Sequence, residues 1–230
     1  MQAVGNATKY VAGLPARPGF AGGNPAPWTA KGVFLSIEAL VRHRFGSGLK
    51  DVVVGVQGLG QVGFALCELL HDAGAKLLVS DVNAQGPALA ARQFGAEIVK
   101  PEKMQNMSMD VFAPCALGSV LTEEAIPNLR ASIICGAANN QLATAMQGRQ
   151  LADRGMLYAP DYLVNAGGII NVAAEYLRET TDSVETRVAQ IPARLMQLVR
   201  RSEAENSATN LLAHRMARDI VAAGQPSKVA

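Results

Sequence analysis

The chain has 230 residues, 49% hydrophobic and 17% charged, enough to bury a sizeable core and too apolar for a disordered chain. Its net charge of +2 is too small for a nucleic-acid or membrane-surface protein, and the paired Arg200 and Arg201 read as a solvated helix face. Cys67, Cys115 and Cys135 have no CxxC spacing, and neither a signal peptide nor a membrane span is present, so reduced thiols in a cytoplasmic protein are expected.

Residues 1–48 read as a Gly- and Pro-rich loop, its turn chemistry densest over 19–27, followed by a helix. Thr29 is expected to cap that helix. Val33, Ile37, Leu40 and Arg44 recur at helical spacing, and two glycines near 46–48 stop it.

Residues 49–170 alternate strand and helix. Residues 52–56 are a short β-branched run of valines around Gly55, as a buried parallel strand should be. A glycine turn at 58–63 opens a helix with Val62, Leu66, Leu69, Leu70 and Ala73 on one face. Further strands are predicted at 76–80, 97–99, 111–113, 133–136 and 156–159, with helices at 84–94 and 141–154 and a helical turn near 123–126. Short loops between alternating elements imply a parallel sheet covered on both faces. Residues 171–224 read as helices with apolar stripes, Val184, Val188, Ile191, Leu195, Leu198 and Val199 first, then Leu211, Leu212, Met216 and Ile220. Residues 225–230 read as a frayed tail.

The strongest chemical signal is Gly58-Leu59-Gly60-Gln61-Val62-Gly63, which follows a predicted strand and opens a predicted helix. In such a turn the first glycine permits the tight bend, the second lets a pyrophosphate approach the backbone, and the third lets helix pack on strand. The helix N-terminus then offers free N–H groups and a positive dipole end. Gly58, Gly60, Gln61, Val62 and Gly63 are therefore assigned to cofactor binding. The fold expected is α/β: a Rossmann-type doubly wound, mostly parallel sheet, with an added N-terminal linker helix and C-terminal helices.

Asp81 ends the second strand, where a carboxylate accepts hydrogen bonds from adenosine ribose hydroxyls and repels a 2′-phosphate. Val82, Asn83 and Ala84 follow it, with no Arg or Lys among them, which favours NAD over NADP. A turn-forming Asp is the competing reading. Thr29, residues 114–118, Asn139, Asn140 and residues 165–168 are individually ambiguous, since Asn and Gly often serve only as turn or cap residues. Three of these segments follow predicted strands, whose ends face the ligand crevice in this architecture. His43, His71 and His214 fall in predicted helices without companions at ligand spacing and read as surface or packing residues; no metal site is expected.

In the blocks NPAPWTAKGV, VGVQGLGQVG, SDVNA, APCALG, GAANNQL and YAPDYLVNAGGIINV, taken in order, the chain resembles the glutamate, leucine, phenylalanine and valine dehydrogenases, with leucine dehydrogenase the nearest type. The resemblance implies NAD-dependent oxidative deamination of an apolar L-amino acid to its 2-oxo acid. It implies that Asp81 and Asn83 hold the adenosine ribose, that Ala116 and Asn140 line the nicotinamide half, and that Thr29 bonds the nicotinamide amide. Asn165 would hold substrate or cofactor, and Ile169 and Val172 would line the substrate side-chain pocket. A homo-oligomer is implied as well.

The family also has a catalytic domain with a lysine in a GGxK motif, a second lysine for the substrate carboxylate, and an aspartate before the crossover. Neither Gly22-Gly23 nor Gly167-Gly168 begins GGxK, and Lys9, Lys31, Lys50, Lys76, Lys100, Lys103 and Lys228 match none of these motifs. These residues are thus expected to be the cofactor-binding part, inactive alone and without catalytic residues of their own. The alternative is a stand-alone, non-catalytic NAD-binding or oligomerisation module.

Overall fold

The computed structural model describes residues 2–8 and 10–224; the predicted tail, Lys9 and Lys228 lie outside them. A short helix α1 (Gln2–Gly5) precedes the long α2 (Ala26–Phe45). The sheet elements then run β1 (Val53–Gln57), α3 (Gln61–Asp72), β2 (Lys76–Ser80), α4 (Gln85–Phe94), β3 (Glu97–Ile98) and β4 (Val111–Pro114). They continue with β5 (Ile133–Ile134), α5 (Met146–Asp153) and β6 (Leu157–Tyr158). Five helices close the chain: α6 (Asp161–Val164), α7 (Gly167–Tyr176), α8 (Thr181–Ala189), α9 (Ile191–Glu205) and α10 (Thr209–Gly224).

The six strands lie in the order β3-β2-β1-β4-β5-β6, and every pair is parallel. Val54 of β1 stands beside Leu77 of β2 on one side and Val111 of β4 on the other. The chain order reverses between β1 and β4. In an open sheet of this kind, the loops after those two strands diverge and leave a crevice at their carboxyl ends.

Alternate residues of each strand feed opposite faces, because strand side chains have a period of two. Val54, Val56, Leu77, Val79, Val111, Ala113 and Ile133 join Ile37 and Leu40 of α2, Leu66 and Leu70 of α3, and Leu195 of α9 in one buried cluster. Leu78, Phe112 and Ile134 point the other way, onto Met104, Met109, Leu151 and Tyr158. The central strands of the sheet are therefore buried on both faces, which is why they read as largely apolar runs.

Three local expectations need correction. Thr29 does not cap α2. The helix begins at Ala26 with Pro25 in the cap position, and the Asn24 side-chain oxygen accepts from the Ala26 N–H at 3.0 Å. Pro27 in the first turn has no N–H to satisfy and a preset φ, which favours the earlier start. The helix α5 begins at Met146 rather than 141, because the Gln141 amide donates to the carbonyls of Gly136 (2.8 Å) and Ala138 (3.0 Å) and holds that stretch as loop. The helical turn expected near 123–126 is a 3₁₀ turn at Ile126–Asn128.

Candidate functional site

The glycine turn sits at the carboxyl end of β1. Gly58 has φ +100°, and a Cβ there would meet the Ala116 backbone nitrogen at 2.5 Å, so only glycine lets the loops after β1 and β4 touch. A Cβ on Gly63 would run into the Gly58 carbonyl oxygen. Gly60 differs from both. Its backbone is extended, and a Cβ added there meets nothing within 4 Å. The protein needs no glycine at 60 for its own packing; the space is left in front of the α3 N-terminus. No side chain caps that terminus.

Asp81 follows β2 and spans the turn. One carboxylate oxygen accepts from the Leu59 N–H at 2.6 Å and the other from the Asn83 N–H at 2.8 Å. It does form turns, as the competing reading held, and it stands half-buried with further lone pairs directed away from those bonds. Asn83 is exposed and its side-chain oxygen accepts from the Gln85 N–H at 3.0 Å, at the start of α4.

A cleft of about 480 Å³ opens beside the turn. It brings Thr29, Gly60, Gln61, Val62, Ile169 and Val172 together with Asn24, Pro25, Ala26, Cys115 and Gly168. Residues as far apart in sequence as Asn24 and Val172 meet here because the N-terminal ends of α2, α3 and α7 converge. Gly167 permits this: a Cβ on it would strike the Trp28 carbonyl. The Thr29 hydroxyl donates to the Pro25 carbonyl at 3.3 Å, and the Asn24 amide bridges to the Gln61 side-chain oxygen at 2.9 Å. Ile169, on the wall of the cleft, is 65% exposed. Among the described residues no charged side chain lines the cleft.

Ala116, Asn140 and Asn165 are not in that lining. Ala116 and Asn140 stand on the loops after β4 and β5, and Asn165 ends α6, where it donates to the Ala137 carbonyl (3.1 Å) and the Asn139 side-chain oxygen (2.7 Å). A larger groove, about 640 Å³, lies away from the turn, between residues 5–21 and the end of α7, and among the described residues that line it is none of the candidate cofactor- or substrate-binding residues.

The histidines stay outside the cleft. His43 pairs with Glu203 at 2.8 Å, His71 lies against the Phe94 ring, and His214 meets the Tyr162 ring edge-on. Cys67, Cys115 and Cys135 are all free. Burial pushes the Cys67 thiol up to about 12 and the Cys115 thiol up to about 11, so both stay protonated at neutral pH. Among the described residues no cluster of His, Cys, Asp or Glu could hold a metal, and no helix is long and apolar enough to cross a membrane. Asn24 and Asp161 were missed by sequence reasoning; both lie inside blocks that carried the resemblance.

Strand order, turn and crevice define a Rossmann-like α/β protein. The family described as Glutamate/Leucine/Phenylalanine/Valine dehydrogenase matches residues 83–223. Leucine dehydrogenase of Thermoactinomyces intermedius is 39% identical over 223 residues, covering 96% of this chain and 60% of the relative. The crystal structure of L-tryptophan dehydrogenase from Nostoc punctiforme superposes with a TM-score of 0.83 at 43% identity, over 86% of this chain and 61% of that one. A hetero-hexameric glutamate dehydrogenase from Thermus thermophilus shares the fold, with a TM-score of 0.72 at 24% identity, over 92% of this chain and 56% of that one. The chain belongs to the glutamate/leucine/phenylalanine/valine dehydrogenase family. It spans about 60% of the length of the relatives it matches.

Proposed function

We propose that these residues bind NAD for the reversible oxidative deamination of an apolar L-amino acid, in the manner of a leucine dehydrogenase. The observation that carries the reading is the open space at Gly60, in front of an uncapped helix N-terminus and in the same uncharged cleft as Ile169 and Val172. A pyrophosphate fits there: the N–H groups of the first turn of α3 supply donors, and the missing Cβ supplies room. A bound nicotinamide would supply the hydride acceptor.

The protein's own groups do the rest. Asp81 accepts from the ribose hydroxyls while holding the turn through Leu59 and Asn83; Asn83 flanks it. Ala116 and Asn140 face the nicotinamide half, with Thr29 donating or accepting at its amide. Asn165 orients substrate or cofactor. Ile169 and Val172 cover the substrate side chain and exclude water from it, and the absence of a cation in the lining disfavours a carboxylate side chain such as that of glutamate. Self-association is part of the same proposal, supported by the exposure of Leu211, Ile220 and Val221 on α10, and so is a place in the cytoplasm, where the free thiols stay reduced.

Titration calorimetry with NADH and NADPH tests the reading. NADH binds and NADPH binds more weakly. Asp81→Ala weakens NADH by about 1.5–3 kcal/mol, the worth of a hydrogen bond to a charged group, with circular dichroism checking that the turn survives. Equal affinity of the unaltered chain for both cofactors would remove Asp81 from the site.

A further inference from the structure

Asp161 is the first residue of α6 and only 7% exposed. Its carboxyl accepts from the Asn140 backbone N–H at 2.5 Å and, more weakly, from the Tyr158 hydroxyl at 3.4 Å. Among the described residues no cation pairs with it. Burying a carboxyl without a cationic partner is costly, so its hydrogen bonds must matter to the arrangement around it.

What it holds is specific. Asn140 has φ +54°, a left-handed conformation that a non-glycine residue adopts at a cost. Asn139, its neighbour, is held through its side chain by Asn165 at 2.7 Å. Asp161 and Asn165, the residue that ends α6, lie one helical turn apart, the Asn165 N–H donating to the Asp161 carbonyl at 2.9 Å. They grip successive residues of one turn. That turn is tied onward: the Ser119 N–H donates to the Asn140 carbonyl at 2.6 Å, and Gly118 lies so close to the Asn139 carbonyl that a Cβ there would strike it. The loop carrying Gly118 also carries Ala116, which abuts Gly58.

We propose that Asp161 is a positioning residue for the nicotinamide half of the cofactor site, fixing the Asn139–Asn140 turn against the loop after β4. The inference rests on the cofactor reading above. It deepens that reading by dividing the site. The adenosine half is anchored by Asp81 on its own strand end, and the nicotinamide half is anchored by Asp161 from α6.

The division makes the test selective. NADH and ADP-ribose, which lacks the nicotinamide, are titrated against the unaltered chain, Asp161→Ala and Asp161→Asn, with dihydronicotinamide fluorescence followed in parallel. Asp161→Ala weakens NADH about tenfold, the order expected for one charge-assisted hydrogen bond, and loses the fluorescence change. Its ADP-ribose affinity stays within about twofold, because the adenosine contacts are separate. Asp161→Asn keeps an acceptor for the Asn140 N–H and recovers most of the NADH affinity; it also serves where the alanine variant does not fold. Unchanged NADH binding in both variants, or equal weakening of NADH and ADP-ribose, overturns the positioning role while leaving the cofactor reading intact. Failure of the unaltered chain to bind either ligand overturns the cofactor reading, and this inference with it.

Discussion

Purified and supplied with NAD and leucine, valine, isoleucine, phenylalanine or tryptophan at alkaline pH, the 230-residue chain forms no NADH above background. Deamination needs a base to activate water and a cation beside the charge developing at the substrate carbon. General acid–base help is typically worth ~10²–10⁴-fold, and one oxyanion-stabilising donor about 10²–10³-fold more. No lysine of the described residues reaches the cleft lining. Lys31 pairs with Glu185 at 2.6 Å and Lys76 with Asp51 at 3.0 Å. The substrate carboxylate likewise has no cationic anchor in that lining, so orientation is lost along with chemistry. Joining a catalytic domain of the family ahead of Met1 restores turnover. Robust turnover by the 230 residues alone would point to a catalytic group within them and overturn this division of labour.

Gly60→Val abolishes NADH binding, by at least about 100-fold, and leaves the fold intact. Valine accepts the extended backbone of residue 60, and a Cβ there meets no protein atom within 4 Å. It fills only the space in front of the α3 N-terminus, where a phosphate would lie. Gly63→Ala provides the contrast, because its Cβ runs into the Gly58 carbonyl. That variant loses stability, about 1–3 kcal/mol for an overpacked contact, before it loses binding. Calorimetry and urea unfolding on the two variants separate a glycine kept for a ligand from a glycine kept for packing. Normal NADH binding by a folded Gly60→Val chain would place the phosphates elsewhere.

The sheet was legible because burial on both faces imposes a distinctive pattern. Residues 53–56 are apolar and open a strand that ends at Gln57, and the glycine spacing that follows is compatible with few other local structures. The short β5 and β6 were legible for the same reason, though each pairs over only two residues. Helix starts were harder to read. Thr29 has the chemistry of a cap, yet Asn24 lies two residues before the observed start and its side chain reaches over Pro25. For α5 a usable signal went unread. In Thr144-Ala145-Met146-Gln147 the glutamine side chain accepts from the Thr144 N–H at 2.7 Å, half of a capping box set one residue ahead of the observed N-cap, Ala145.

The site was less legible than the fold, because its members meet only through tertiary packing. Ile169 and Gly60 share a cleft because α7 crosses the first turn of α2, an approach set by Gly167 against Trp28. No periodicity carries that information. Asp161 reads in sequence as an ordinary helix-start aspartate. Its bond to the backbone of Asn140 follows from β6 lying beside β5 in the sheet, which brings the loops after the two strands together.

The most direct measurement of the central claim, that the crevice between β1 and β4 is the cofactor site, is a crystal structure of the chain soaked with NADH. Pyrophosphate oxygens are expected within hydrogen-bonding distance, about 2.7–3.2 Å, of the N–H groups of the first turn of α3. The ribose is expected at Asp81 and the nicotinamide directed toward Thr29 and Ile169. NADH seated in the groove lined by Thr8, Arg17 and Arg178, or anywhere away from the glycine turn, would contradict it.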